Sequence, residues 1–150
     1  EEGRLRALAE HLKVNDSVLF KGYVPHIELA RSFKTAHIFV RPSRTEGFGS
    51  SFVEAMAAGL PVIATQEGGI ADFLFDEKRN PTLPTTGWAV DRDSPEQIAE
   101  AVKDIMVNPN KVARVTTNAA HLVREKYDWV VIARQMSALF QGIFSSNLTK

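Results

Sequence analysis

Two glutamates frame the stretch of this chain richest in chemistry: Glu46 and Glu54 stand on either side of Gly47-Phe48-Gly49-Ser50-Ser51. The stretch follows the apolar run His37-Ile38-Phe39-Val40 and leads into a helical pattern over Ser50 to Ala58. Glycines let a backbone approach a ligand closely. A helix N-terminus adds unpaired N–H groups and partial positive charge. Together they form an anion site well suited to phosphate. Carboxylates accept hydrogen bonds from hydroxyls, so the Glu46–Glu54 pair suits a ligand that carries hydroxyls beside its phosphates, as a sugar nucleotide does. Local spacing leaves other readings open. Ser51-x-x-Glu54 matches a capping box, in which the glutamate only satisfies the cap. Glu46 also reads as a solvated loop carboxylate, and a Gly-x-Gly turn is common for steric reasons alone.

A second strand-to-glycine turn, Thr65-Gln66-Glu67-Gly68-Gly69-Ile70, is expected beside the first. A dinucleotide fingerprint fits poorly. Glu67 has the spacing of a ribose contact, but Phe52 stands where the third small residue belongs. No P-loop or Gly-x-Ser-x-Gly elbow is present. His11, His26, His37 and His121 lack metal-ligand spacing, so no metal is expected. Arg41 and Arg44 flank the loop and could add positive charge, although arginines beside a strand end are usually solvated.

The elements that must position these residues read as alternating strands and helices. Leu5, Leu8, Ala9 and Leu12 give a first helix ending near Lys13, and Val18-Leu19-Phe20 a short strand. Pro25 suits a first helical residue, with Ile27, Ala30 and Phe33 on one face. Gly59 is placed to end the helix from Ser50, and Pro61 to Thr65 follows as a buried strand. Asp76 to Thr86 reads as an exposed loop before the strand Trp88-Ala89-Val90. Ser94-Pro95-Glu96-Gln97 signals a capped helix with the stripe Ile98, Val102, Ile105, Met106. Asn108-Pro109 opens a helix with Val112, Val115, Ala119 and Leu122, and Asp128 caps a last one carrying Trp129, Ile132, Met136, Leu139 and Phe140. The alternation implies an α/β fold: a Rossmann-like parallel sheet with helices on both faces. Ligands of such sheets sit beyond the carboxyl ends of the strands, where both glycine turns fall.

At 150 residues, 44% apolar and 24% charged, the chain fits one ordered domain. Eighteen basic residues balance eighteen acidic ones, which removes the electrostatic case for a nucleic-acid partner. The absence of cysteine excludes disulfides, thiolate catalysis and cysteine-ligated zinc. No apolar run reaches the roughly 18–20 residues that span a bilayer. The expected localisation is cytoplasmic, and the opening without Met suggests a fragment of a longer protein.

Residues 37–75, from His37-Ile-Phe-Val-Arg-Pro-Ser-Arg-Thr-Glu-Gly-Phe-Gly through Glu54-Ala-Met-Ala-Ala-Gly-Leu-Pro-Val-Ile-Ala-Thr to Gly68-Gly69-Ile70, closely resemble the retaining glycosyltransferases of GT-B fold in family four, group 1. Phe20 to Pro25, Gly87 to Val90, Ser94-Pro95-Glu96 and Tyr127-Asp128-Trp129 resemble further parts of that family's C-terminal domain. The resemblance implies that residues 1–150 are the nucleotide-sugar-binding domain, an incomplete C-terminal half of a GT-B fold without its first strand and N-terminal acceptor domain. Glu46 would be the catalytic glutamate against the transferred sugar. The N–H groups of Gly47, Phe48 and Gly49 would line sugar and diphosphate, Ser50 and Ser51 would hold phosphate, and Glu54 would bind the ribose. Tyr23 and Val24 would border the base. The implied reaction moves a hexose from a nucleoside diphosphate sugar to a glycan or lipid acceptor, without a metal or other cofactor, and the isolated chain would be inactive. The family is often associated with membranes, so the full-length protein could also sit at the inner membrane face, although no basic amphipathic face is present here. A sugar-nucleotide epimerase of related fold and a non-catalytic nucleotide-binding domain are the alternatives.

Overall fold

The computed structural model describes residues 1–147, with no account of the side chains from 144 onward. It divides into two compact units, Glu1–Arg31 and the chain from Ser32 onward.

The first unit holds helix α1 (Glu2–His11), a 3-10 turn at Asn15–Ser17 and the start of α2 (His26–Thr35). The apolar stripe of α1 is there, but only Ala9 is buried; Leu5, Leu8 and Leu12 remain exposed. The strand expected at Val18-Leu19-Phe20 does not form. Val18 is extended, yet no neighbouring strand hydrogen-bonds to it, and Leu19 is 79% exposed. A strand exists only as part of a ladder, so an extended β-favouring run without a partner stays a loop. Pro25 precedes α2 and its carbonyl accepts the Glu28 N–H at 2.8 Å. Phe33 lies on the covered side of α2 as expected, but Ile27 and Ala30 are exposed, and Leu29 and Ser32 join Phe33 instead.

The second unit is an α/β layer structure, as expected. Strands β1 (Phe39–Arg41), β2 (Val62–Thr65) and β3 (Trp88–Val90) form a parallel sheet in the order β1-β2-β3. Phe39 pairs with Val62 and Ile63 with Trp88 in register. β2 is central and wholly buried, as its apolar run Val62-Ile63-Ala64 requires. Alternate residues of β2 feed two cores. Val62 and Ala64 pack with Phe52, Val53 and Met56 of α3 (Ser50–Ala57). Ile63 packs with Trp88, Val90, and Ala101 and Ile105 of α4 (Pro95–Val107). α5 (Pro109–Lys126) serves both, giving Val115 to one core and Ala119 and Val123 to the other. Helices therefore cover both faces. α6 (Trp129–Asn147) starts where expected, with the Val130 N–H donating to Asp128 Oδ1 at 2.8 Å. Its Met136, Leu139 and Phe140 are exposed. Among the described residues no helix is long and apolar enough to cross a membrane.

Three local expectations are corrected. Gln97 closes no capping box on Ser94; it clasps Asp91, accepting its N–H and donating to its carboxylate, both at 2.8 Å. Met106 is 75% exposed because the covered stripe of α4 runs through Ile98, Ala101, Val102 and Ile105. Asp76 to Thr86 is not a solvated loop throughout. Thr86 is buried and donates to the Phe73 carbonyl at 2.6 Å, and Asn80 accepts from Gln66 at 2.6 Å. Polar side chains here replace the backbone ladder that irregular chain lacks.

A polar cavity of about 440 Å³ lies against β3 and α4, lined in part by Arg79, Trp88, Gln97, Asp104 and Lys111. Asp104 accepts the Trp88 indole N–H at 2.6 Å and pairs with Lys111 at 3.0 Å; Lys111 also reaches Glu77 at 3.2 Å. Burial pushes the Asp104 carboxyl up, but the donors Trp88, Lys111 and Asn108 outweigh it and hold the carboxyl below its usual range. The folded carboxyl is thus more acidic than the unfolded one. Its stabilisation is complete above the unfolded value near 4 and is lost as pH falls through the lower folded value. Asp104→Asn should cost about 1.5–3 kcal/mol at pH 7, the range for hydrogen bonds to a charged group. In urea unfolding the deficit should disappear once wild-type Asp104 is itself protonated. A deficit unchanged at low pH would mean that the charge contributes nothing.

Candidate functional site

The carboxyl ends of the three strands feed three loops. The first runs from Pro42 to Gly49 after β1, the second is the 3-10 turn Gly68–Asp72 after β2, and the third is Asp91 to Ser94 after β3. Ion pairs tie them: Arg44 to Asp93 at 2.8 Å, and Arg92 to Glu67. Glu67 is thereby engaged by an arginine.

The two glycine turns touch, as their shared sheet edge predicts. The Gly69 N–H donates to the Gly47 carbonyl at 2.9 Å. A Cβ on Gly68 would stand 2.0 Å from the Glu46 carbonyl oxygen, and one on Gly69 would stand 2.1 Å from that of Gly47. Gly68 also has a φ of +56°. The second turn therefore buttresses the first, and only glycine permits that approach.

α3 begins on Gly49, whose left-handed conformation (φ +73°, ψ +60°) makes it the N-cap. That settles the register of the capping-box alternative. Ser51 is the second helical residue and not the cap, so Ser51-x-x-Glu54 does not have the box geometry. Glu54 is the fifth residue of α3 and half-buried. Among the described residues, no backbone hydrogen bond is donated by the N–H groups of Gly47, Phe48, Gly49, Ser50 or Ser51. Five successive donors at a helix N-terminus remain unspent, the arrangement that accepts an anion.

Glu46 is not a solvated carboxylate: its side chain is 16% exposed. Its Oε2 pairs with Arg41 Nη2 at 3.0 Å and accepts from Ser43 Oγ at 3.4 Å. Ser43 is itself fixed through its carbonyl, which accepts from the Thr65 hydroxyl. Arg41 Nη1 donates to Ser51 Oγ at 2.8 Å, and the guanidinium lies 5.4 Å from the Phe52 ring centroid. Arg41 thus has structural partners that strand-end exposure did not suggest. The signal was available in the strand period: Arg41 falls on the same face as Phe39, whose ring meets Phe52 at 5.4 Å.

Phe48 projects from the loop, 45% exposed, with its ring against Phe73 (5.8 Å) and Tyr127 (5.3 Å). Burial, with Asp72 nearby, pushes the Tyr127 phenol up, so it stays neutral through the physiological range. Phe52 is fully buried, which leaves no room for the close helix-to-strand approach of a dinucleotide fingerprint. The structure therefore gathers Glu46, Gly47, Phe48, Gly49, Ser50 and Ser51 around one bend, with Glu54 along the same helix. Tyr23 and Val24 belong to the first unit, in the segment before α2; Tyr23 is 90% exposed. No group of three or more histidine, aspartate or glutamate side chains among the described residues could hold a metal.

Comparison with known proteins agrees with this architecture. Residues 1–122 match the family described as glycosyl transferases, group 1. A GDP-mannose-dependent alpha-(1-6)-phosphatidylinositol monomannoside mannosyltransferase of Mycobacterium tuberculosis is 31% identical over 145 residues, covering 92% of this chain and 36% of that protein. The structure of sucrose-phosphate synthase from Thermosynechococcus elongatus superposes with a TM-score of 0.82 at 31% identity, over 95% of this chain and 34% of that one. Anabaena HepE, solved with UDP and glucose, superposes with a TM-score of 0.81 at 21% identity over 93% of this chain and 36% of that one, a likeness of fold. The chain spans about a third of the length of these relatives.

Proposed function

We propose that this chain, which belongs to the group 1 glycosyl transferase family, is the donor-binding domain of a retaining glycosyltransferase that moves a hexose from a nucleoside diphosphate sugar. The observation that carries the reading is the run of unspent N–H groups from Gly47 to Ser51 directly after the Glu46 carboxylate. The diphosphate occupies the N–H run and the hydroxyls of Ser50 and Ser51. Glu46 accepts hydroxyls of the transferred sugar, and Glu54 those of the ribose. A relative named for GDP-mannose-dependent transfer supports a nucleotide-sugar donor.

In this reading the anomeric C–O bond breaks with its electron pair leaving on the diphosphate, while an acceptor hydroxyl bonds to the same face and gives up its proton to the departing phosphate oxygen. Negative charge grows on the departing phosphate as the sugar becomes oxocarbenium-like. Fixed N–H donors aimed at that charge stabilise the transition state more than the ground state. The residues assigned here supply that stabilisation without a cofactor. The acceptor, a glycan or lipid, is held by chain outside these 150 residues, so the isolated chain transfers no sugar.

The test is calorimetry with UDP-, GDP- and ADP-sugars, with NAD as a control. One sugar nucleotide should bind with a Kd of roughly 1 mM, about −4 kcal/mol, and NAD should give no heat. Glu46→Gln should remove the preference for the sugar nucleotide over the bare diphosphate. Glu54→Gln should weaken both about equally. NAD binding as tight as any sugar nucleotide, or turnover by the isolated chain, would sink the assignment.

A further inference from the structure

Arg41 ends β1 with one planar cation placed between two groups of different use. Nη2 lies 3.0 Å from Glu46 Oε2 and Nη1 lies 2.8 Å from Ser51 Oγ. We propose that Arg41 is a positioning residue for the donor, holding the sugar-binding carboxylate and the phosphate-binding hydroxyl in register through one guanidinium. The inference rests on the donor reading above.

Three features of the contact give it content. First, Arg41 and Ser43 both act on Oε2, and among the described residues no side-chain hydrogen bond reaches Glu46 Oε1. The clamp fixes the carboxylate and leaves one oxygen open for a ligand hydroxyl. Second, Ser51 Oγ is an acceptor toward Arg41, so its own O–H is the group left to donate. A phosphate oxygen needs a donor, and Arg41 turns an ambivalent hydroxyl into one. Third, a carboxylate beside an anion site repels the anion. The guanidinium offsets that charge without entering the N–H run itself. The Phe52 ring under the guanidinium helps hold its plane. A lysine could keep the charge but, as a point cation, could not serve two partners set by a planar fork.

Two measurements separate this idea from the donor reading. In nitrogen-edited spectra of the unliganded chain, the Arg41 Nη–H signals should be resolved by slowed guanidinium rotation. They should collapse in both Glu46→Gln and Ser51→Ala. By calorimetry with the sugar nucleotide that wild type binds, Arg41→Gln and Arg41→Lys should each weaken binding at least tenfold, while Arg114→Gln, exposed on α5, leaves it unchanged. In double variants the losses from Arg41→Gln should not add to those from Glu46→Gln or Ser51→Ala, as expected of groups acting as a unit. Circular dichroism checks that each variant is folded. Unresolved Arg41 signals in wild type, full binding by folded Arg41→Gln, or rescue by lysine each overturn the clamp, and the donor reading survives. A resolved clamp in a wild-type chain that binds no sugar nucleotide overturns the donor reading and Arg41's part in it.

Discussion

Gly68→Ala should destabilise the second unit by about 3 kcal/mol, the upper range for overpacking a well-filled site. At roughly 2–4 °C per kcal/mol for a chain of this size, the melting temperature should fall by roughly 6–12 °C. Two costs combine. The new methyl would lie 2.0 Å from the Glu46 carbonyl oxygen, a backbone atom that cannot turn aside, and φ at Gly68 is +56°, unfavourable for any residue with a Cβ. Relief requires the turn after β2 to withdraw from the loop after β1. The Gly69 N–H to Gly47 O bond is then lost, and the loop bearing Glu46 loses its support. Calorimetric melting checks the stability, and sugar-nucleotide titration of the folded variant checks the loop. An unchanged melting temperature would show that the turns do not brace one another.

Phe52→Ala should cost about 3–5 kcal/mol, the range for deleting a buried aromatic side chain. Phe52 is fully buried and sits in a row of rings, 5.4 Å from Phe39 and 6.4 Å from Phe73, with Arg41 over its face. The cavity left would border β1, α3 and the turn after β2 together, so no single element can move to fill it. Urea unfolding should show a lower midpoint with an unchanged slope. A loss under 1 kcal/mol would mean that the neighbours collapse into the space. Phe52→Leu, which keeps most of the volume, should lose far less.

Much of the second unit is legible in the residues. Val62-Ile63-Ala64, closed by Thr65 and set between Pro61 and the next glycine turn, reads as a buried strand, and β2 is central. Gly59 ends α3 as expected, with the Leu60 N–H returning to the Ala55 carbonyl at 3.0 Å. Asp128 caps α6. What local sequence misreads is decided by distant partners. Val18-Leu19-Phe20 has strand propensity and no ladder. The Ser94/Gln97 box is a valid cap pattern, but Asp91 competes for Gln97 and wins with two bonds. The same logic holds at the bend. The residues and their order were readable, and the strand period sets Arg41 on the face of Phe39, but its two partners were not, since Glu46 and Ser51 reach it only once α3 has docked on β1. Nor could spacing decide whether Glu54 belongs to a capping box; that turned on Gly49 becoming the N-cap, a matter of one backbone conformation.

Phe48 carries a last consequence. A bend flanked by two glycines would ordinarily wander among many shapes, and a visitor would have to freeze it at a cost of about 1–2 kcal/mol per residue. Here the ring between those glycines is already wedged against Phe73 and Tyr127, side chains from two other segments. The freezing is done when the polypeptide folds, before anything arrives. Whatever settles on the bend meets a seat of fixed shape, so even a small, highly charged guest is gripped without the further toll of ordering the bend.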